Sequence, residues 1–185
     1  MKATILQGSP KKDGNTATLA NSFINGWVNN GENEAAEYFL NGMNIKQCQG
    51  CLKCQESLET LCVINDDMQK VYRDFLESDI IVFATPIYWW HVTGQMKLLI
   101  DRLQALLRWD NTANFKGKTL VLILTYGVED AVGEKTVLMM FEDIAQWAGV
   151  KLHVLRYCSA SSHVSACGEK LEEARILGES LASVR

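Results

Sequence analysis

Apolar and polar positions follow two repeating patterns along the chain. Five short runs are almost entirely apolar and predict buried strands at residues 3–6, 35–40, 79–84, 119–125 and 150–155. Between them, apolar residues recur at three- and four-residue steps, which predicts helices at residues 15–30, 68–75, 95–107, 137–148 and 171–181. Because the apolar runs do not alternate with polar residues, we expect a parallel sheet covered by helices on both faces.

These five strand–helix units predict one α/β domain over residues 1–185. Right-handed crossovers leave two arrangements for so short a chain. One is a flavodoxin-like three-layer α/β/α sandwich with a five-stranded sheet of order 2-1-3-4-5, and the other is a small nucleotide-binding half-domain. In both, ligands bind beyond the carboxyl ends of the strands, so the loops at 7–15, 85–95 and 125–133 are predicted to form the site.

The composition of the chain limits the kinds of partner that we expect it to bind. The chain has 185 residues, 48% hydrophobic and 22% charged, with a net charge of −4. This mildly acidic balance argues against a nucleic-acid partner, and no apolar stretch approaches the ~20 residues of a membrane helix. The amino terminus lacks a signal-peptide core, so we expect a cytoplasmic location. Six cysteines then predict reduced thiols or metal ligands rather than disulfides.

The loop after the first strand, GSPKKDGNT at 8–16, is typical of an anion site. It has neither the Lys-Ser/Thr ending of a triphosphate loop nor the GxGxxG dinucleotide fingerprint. It does offer several small donors where a helix begins, and a helix start favours a phosphate. The alternative is an ordinary helix cap without a ligand. We interpret the loop as a site for one terminal phosphate, with Ser9, Lys11, Gly14, Asn15 and Thr16 as its candidate contacts.

The loop after the third strand carries three consecutive aromatic residues, Tyr88, Trp89 and Trp90, which cannot all face inward on a turn. Flat aromatic faces suit a flat heteroaromatic ligand. The alternative is a dimer contact or a hydrophobic plug, and a homodimer interface beside this loop is compatible with ligand stacking. His91 lies in the same loop, and we assign it no proton-transfer role.

Four segments resemble the NAD(P)H-dependent FMN reductase group of flavodoxin-like proteins. They are GSPKKDGNT at 8–16, DDM at 66–68, SDIIVFATPIYWWHVTGQMKLLIDR at 78–102 and TYG at 125–127. The resemblance covers most of the chain and implies FMN, with its phosphate in the first loop near Ser9, Lys11, Asn15 and Thr16. The ring contacts that it implies are Pro86, Ile87, Tyr88, Trp89, Trp90, Thr125, Tyr126 and Gly127.

The resemblance also implies a reaction. NAD(P)H as a transient co-substrate reduces the flavin, and a small acceptor such as a quinone, azo or nitro compound, a metal ion or free flavin takes the electrons. Since the cofactor supplies this chemistry, no side chain is required as acid or base, and we predict no catalytic residue. Members of the group are typically homodimers or homotetramers. We suggest Trp90, Glu129 and the stretch 159–163 as substrate-facing.

The connection at 41–65 is long for a compact domain and contains Cys48, Cys51, Cys54 and Cys62 in the spacing C-x2-C-x2-C-x7-C. This spacing suits a 4Fe-4S cluster better than zinc, which prefers two separated pairs. It also resembles the cysteine cluster of iron–sulfur flavoproteins, whose cluster passes electrons to FMN. The alternative is four buried structural thiols. Cys158 and Cys167 have no spacing partner and are read as incidental.

Two other functions compete with an FMN-dependent reductase. The first is an electron carrier, either a flavodoxin or an iron–sulfur flavoprotein that receives electrons from ferredoxin. Flavodoxins that dock on redox partners tend to be more acidic than this chain. The second is a flavin-free regulatory module on the same fold, which would need neither the phosphate loop nor the aromatic loop.

Overall fold

The computed structural model describes residues 1–29, 31–56, 61–107, 114–128, 132–160 and 162–183. Its six strands are β1 (Lys2–Gln7), β2 (Glu34–Phe39), β3 (Ile80–Tyr88), β4 (His91–Val92), β5 (Thr119–Tyr126) and β6 (Lys151–Cys158). The five long strands are parallel in the order β2-β1-β3-β5-β6, and β4 pairs antiparallel with the end of β3. Without the two-residue β4, this is the 2-1-3-4-5 order, which confirms the flavodoxin-like prediction.

Five helices cover the sheet: α1 (Asn15–Val28), α2 (Met68–Glu77), α3 (Gly94–Arg102), α4 (Val132–Ala148) and α5 (Gly168–Ala182). Successive residues of β3 point to opposite faces. Ile80 and Val82 pack in the cluster that contains α1 and α5, whereas Ile81 and Phe83 pack in the cluster that contains α2, α3 and α4. Both faces of the strand are therefore buried, which explains why its sequence does not alternate. None of the helices in the described residues is both long and apolar enough to cross a membrane.

The two helices on one face, α1 and α5, approach each other closely through two glycines. A Cβ at Gly26 would lie 1.9 Å from the carbonyl oxygen of Arg175, and one at Gly178 would lie 2.2 Å from that of Phe23. Both distances are far below van der Waals contact. The backbones touch because neither residue carries a side chain, and this contact holds the α1–α5 layer against the sheet.

Two boundaries differ from the sequence prediction for identifiable reasons. The third strand was predicted to end at residue 84 but continues through Pro86 to Tyr88. β1 pairs with β3 only as far as Ala84, so the missing N–H of Pro86 leaves no ladder bond unmade on that side. The helix predicted over 95–107 ends at Arg102 and tightens into a 3-10 turn, Leu103–Ala105.

Candidate functional site

The loop after β1 is fixed against the start of α3. The N–H of Gly8 donates to the carbonyl of Ala84 (2.8 Å), and the carbonyl of Gly8 accepts from Thr93 Oγ1 and Gln95 Nε2, both at 2.7 Å. A Cβ at Gly8 would lie 3.0 Å from the Cβ of Met96. A larger residue at position 8 would therefore have to displace Met96 and Thr93 slightly, and the loop that follows starts from a well-fixed position.

The loop leads into α1 through Gly14, a residue that has no side chain with which to cap the helix. Gly14 is the N-cap residue with extended backbone, and it makes no side-chain cap hydrogen bond. The first N–H groups of a helix have no partner within it and carry a partial positive charge. Ser9 is buried nearby, its hydroxyl accepts from the N–H of Lys11 (3.1 Å), and Lys11 lines the adjoining cleft. Lys12, by contrast, places its Nζ 5.2 Å from the centre of the Phe39 ring.

Two buried hydroxyl groups join this helix start to the end of β5. Oγ1 of Thr16 and Oγ1 of Thr125 lie 2.7 Å apart, and each residue is at most 3% exposed. One hydroxyl hydrogen makes this bond. The other is left to donate to a group in the cleft, because each hydroxyl carries one hydrogen.

The segment after β6 closes the same side of the cleft. The N–H of Val164 donates to Oδ1 of Asn15 (2.8 Å), and Ser159 donates from its N–H to the carbonyl of Tyr126 (2.7 Å). Nδ1 of His163 accepts from the N–H of Ser165, while Nε2 lies 3.2 Å from the carbonyl of Asp13. A ring whose Nδ1 accepts and whose Nε2 donates is the neutral Nε2–H tautomer. His163 thus ties this segment to the phosphate loop.

These elements enclose a cleft of about 440 Å³ at the carboxyl ends of β1, β3 and β5. Its lining is Ser9, Lys11, Asp13, Gly14, Asn15, Thr16, Pro86, Ile87, Tyr88, Thr125, Tyr126, Gly127, Ser159 and His163. Every residue suggested above as an FMN contact lines it, except Trp89 and Trp90. Ser159 and His163 come from the stretch suggested as substrate-facing. Asp13 belongs to the quoted loop but was not singled out, and Glu129 and Ser161 lie outside the described residues.

The aromatic loop is a tight hairpin that divides its three aromatic residues. Tyr88 pairs with His91 across the turn and lines the cleft. Trp89 and Trp90 form the two-residue tip, are 88% and 57% exposed, and have φ angles of 47° and 61°. Their contact with a flavin ring stays a prediction. α4 packs closely under the tip, since a Cβ at Gly133 would lie 2.8 Å from the Cα of Trp90.

Tyr126 is the phenol in the cleft that is held in its protonated form. Burial, followed by a hydrogen bond with Glu134, raises the pKa of Tyr126 to about 12. Glu134 in turn lies 2.9 Å from Nη1 of Arg156. The hydroxyl of Tyr126 is therefore protonated throughout the physiological range and is oriented by a carboxylate outside the cleft.

The segment that contains four of the cysteines is bound to the chain just beyond α3, where Nε2 of Gln55 donates to the carbonyl of Gln104 (2.9 Å). Cys48 and Cys51 are exposed, Cys54 and Cys62 are half-buried, and all are thiols rather than disulfides. The N–H of Gly50 lies 3.5 Å from Sγ of Cys48, and Nε2 of Gln55 lies 3.5 Å from Sγ of Cys54. Among the residues that the structure describes, no three metal-ligating side chains form a group that could hold an ion in this conformation. The cysteines therefore stay a predicted ligand set.

Comparison with known proteins gives three findings. A model of the NADPH-dependent FMN reductase family matches residues 1–166. An iron-sulfur flavoprotein of Archaeoglobus fulgidus is 35% identical over 126 residues, which are 68% of this chain and 54% of the relative. Another, of Methanosarcina thermophila, is 29% identical over 163 residues, which are 88% of this chain and 80% of the relative. The alignment with the Archaeoglobus protein thus spans about half of that relative's length.

Solved structures agree on the fold. The NAD(P)H:quinone oxidoreductase of Methanothermobacter marburgensis superposes with a TM-score of 0.74 at 17% identity and covers 100% of this chain and 98% of its own. An identity this low supports the shared fold only.

Proposed function

The chain belongs to the NADPH-dependent FMN reductase family, and we propose that it is an FMN-dependent oxidoreductase that moves electrons from NAD(P)H to a small acceptor. A quinone, an azo or nitro compound, or free flavin is the class of acceptor we expect. The observation that carries the proposal is the cleft itself, which has a helix start with glycine as its N-cap residue at one end and the strand ends 86–88 and 125–127 at the other.

The residues of the cleft fit FMN at both ends. The phosphate end offers helix N–H groups, the hydroxyls of Ser9 and Thr16, and the ammonium of Lys11. The other end offers Pro86, Ile87 and the Tyr88 ring beside the backbone of 126–127. A cleft of about 440 Å³ lies within the range of small-molecule sites. When bound, FMN supplies the hydride and electron-transfer chemistry.

The residues of the chain itself bind FMN and orient it. The loop at 8–16 holds the phosphate end of FMN. The hydrogen bond between Thr16 and Thr125 fixes the distance between the start of α1 and the end of β5. The hydroxyl of Tyr126 donates its one hydrogen to Glu134, so at the ring end its oxygen can only accept a hydrogen bond. We assign no side chain to proton transfer, because the flavin chemistry does not require one.

The phosphate assignment is tested with the Thr16→Val variant. Valine has the shape of threonine without the hydroxyl, so we expect FMN to bind about 10-fold more weakly while riboflavin, which lacks the phosphate, is little affected. The matched control is Thr18→Val, whose hydroxyl bonds to the carbonyl of Gly14 one turn along α1. Equal losses for FMN and riboflavin would show that Thr16 does not contact the phosphate.

We infer a homodimer or homotetramer in the cytoplasm as the working form. The exposed rings at the hairpin tip support association, because a patch formed by Trp89 and Trp90 is costly to leave in water. Light scattering of the FMN-loaded protein tests this inference, and a monomer at all concentrations contradicts it.

The second candidate is an iron–sulfur flavoprotein that passes electrons between a 4Fe-4S cluster and FMN, with ferredoxin as a partner. Four thiols at the spacing C-x2-C-x2-C-x7-C favour it, and so do the names of the relatives above. The N–H groups directed at Cys48 and Cys54 are also of the kind that surrounds cluster sulfurs. Iron and acid-labile sulfide analysis of protein purified without oxygen separates the candidates. The plain reductase contains neither, and the carrier contains about four of each per chain.

A further inference from the structure

An ion pair is buried at the carboxyl end of α3. Arg102 is the last residue of this helix and Asp66 lies just before α2, and the side chains of both are 0% exposed. Nη1 and Nη2 of Arg102 lie 2.8 and 3.2 Å from the two carboxylate oxygens of Asp66. The pair is therefore bidentate, which is the most specific geometry between these two groups.

The pair holds together the two ends of the segment that carries the cysteines, which we call the cysteine segment (residues 46–64). Asp66 accepts from the N–H of Lys46 (2.9 Å), and Arg102 donates to the carbonyl of Lys46 (2.8 Å). A longer contact of 3.5 Å joins Arg102 to the carbonyl of Ile64. Residues just before Cys48 and just after Cys62 are thus bound to the same two side chains.

A second set of bonds reinforces this closure. Nε2 of Gln69, on α2, donates to the carbonyls of Cys62 and Ile64, both at 2.8 Å. Nε2 of Gln55, within the segment, donates to the carbonyl of Gln104 beyond α3 at 2.9 Å. The described residues of the cysteine segment are consequently anchored on α2 and just beyond the end of α3.

A contribution to the free energy of unfolding does not by itself explain why this ion pair is buried. A buried ion pair pays a large desolvation penalty, and apolar residues of similar volume often serve equally well. In addition, Nε of Arg102 is buried with no hydrogen-bond partner among the described residues. The arrangement is expensive, but it fixes the ends of the cysteine segment more exactly than apolar packing would.

We propose that Asp66 and Arg102 are positioning residues: they hold the two ends of the cysteine segment together, so that Cys48, Cys51, Cys54 and Cys62, which do not form a group of three in the described conformation, gather around one shared metal–sulfur ligand when it binds. This inference rests on the second function proposed above and does not involve the FMN contacts. Residues outside the first ligands of a metal site commonly control its occupancy by orienting those ligands.

The anchoring also relates the cysteine segment to the cleft. α3 begins where Thr93 and Gln95 donate to Gly8 of the phosphate loop, and it ends at Arg102. A nine-residue helix spans about 13 Å. A ligand in the cysteine segment would therefore be held by the same rigid element as the phosphate loop, at the opposite end.

The test compares full-length wild type with Arg102→Met, Arg102→Lys and Asp66→Asn. Each is purified without oxygen, loaded with FMN and reconstituted with ferrous iron and sulfide. The readouts are bound iron and sulfide, the alkylation rate of each cysteine in the unreconstituted protein, and FMN content. Tyr72→Phe is the matched control, since it removes the hydroxyl bond to the carbonyl of Arg102 (2.8 Å) and leaves the ion pair in place.

We expect wild type and Tyr72→Phe to bind iron and sulfide, and Arg102→Met and Asp66→Asn to bind them about 10-fold more weakly. Arg102→Lys restores part of the binding because it keeps the charge but loses the two-pronged contact. Alkylation of Cys48 and Cys62 becomes faster in the weakened variants. FMN content stays at the wild-type level in all of them.

Two results would overturn the inference. One is wild-type iron, sulfide and alkylation rates in variants whose melting temperature has fallen, which would make the pair purely structural. The other is a wild-type protein that takes up neither iron nor sulfide. If Arg102→Met does not fold, the same comparison with wild type is made with Arg102→Lys and Asp66→Asn. A wild type that binds iron and sulfide but no FMN would instead contradict both proposed functions, since each needs FMN, and would leave the positioning role of the pair standing.

Discussion

At the scale of single residues, the tip of the aromatic hairpin stands out for its backbone. Trp89 and Trp90 both have positive φ angles in a two-residue turn. Such turns favour Asn-Gly, because a bulky side chain in the left-handed region costs about 1–2 kcal/mol. A costly conformation of two large exposed rings points to a role in contacting a ligand or another molecule.

Replacement of the tip by Asn-Gly (Trp89→Asn with Trp90→Gly) tests this interpretation. Relief of the backbone strain should raise the free energy of unfolding by about 1–2 kcal/mol, as measured by urea denaturation. The same variant should show a higher KM for a quinone, because an aromatic surface beside the cleft is lost. Lower stability would instead mean that contacts of the two rings, for example with a second copy, outweigh the strain.

The lowered pKa of Asp66 leads to a prediction about how the stability of the protein changes at acidic pH. Burial by itself raises the pKa of this carboxyl, but the bonds from Arg102 and from the N–H groups of Lys46 and Met68 outweigh burial and lower it. A lowered pKa in the folded state means that the group stabilises the protein above its ordinary pKa of about 3.9. That contribution is lost as the pH falls through the lowered value.

The Asp66→Asn variant should therefore be less stable than wild type at neutral pH, by about 3 kcal/mol, since it leaves Arg102 charged and unpaired. The difference should shrink as the pH falls from about 5 towards 2. Urea denaturation across this range measures it. A difference that is constant with pH would show that the charge of Asp66 does not contribute.

At the scale of elements, the contact between α1 and α5 depends on two glycines. Gly178→Ala places a methyl group 2.2 Å from a carbonyl oxygen of α1, so the helices must separate. We expect a loss of about 3 kcal/mol or more in the free energy of unfolding. Gly168→Ala is the control, because its added methyl group meets nothing within 4 Å at the start of the same helix. Equal stability of the two variants would contradict the close contact.

The sequence predicted most of the strands and helices. A strand that is buried on both faces is recognisable as a short run of apolar residues. The runs at 79–84 and 119–125 are apolar apart from Asp79, Thr119 and Thr125 at their ends, and both prove to be central strands. The hairpin was not predicted, since a two-residue turn of tryptophans breaks the usual turn preferences. The early end of α3 was also missed, because Leu103, Leu106 and Leu107 continue the apolar spacing and are buried beyond the end of the helix.

At the scale of the whole molecule, the cleft is built from several segments. Some of them could be predicted from the sequence, and others could not. The loops after β1, β3 and β5 were predicted because parallel strands end at one edge of the sheet. The role of the 159–166 segment depends on the bonds between Val164 and Asn15 and between His163 and Asp13. No spacing pattern reports such contacts, so only the stretch 159–163 was suggested, and as substrate-facing.

The most direct test of the central claim is an anaerobic titration of the FMN-loaded protein with NADPH, followed by its visible spectrum. The account predicts flavin bands that bleach with stoichiometric NADPH and return when a quinone is added, with Thr16→Val needing more FMN to reach the same amplitude. A protein that binds no FMN, or whose bound flavin is not reduced by NADPH or NADH, would contradict it.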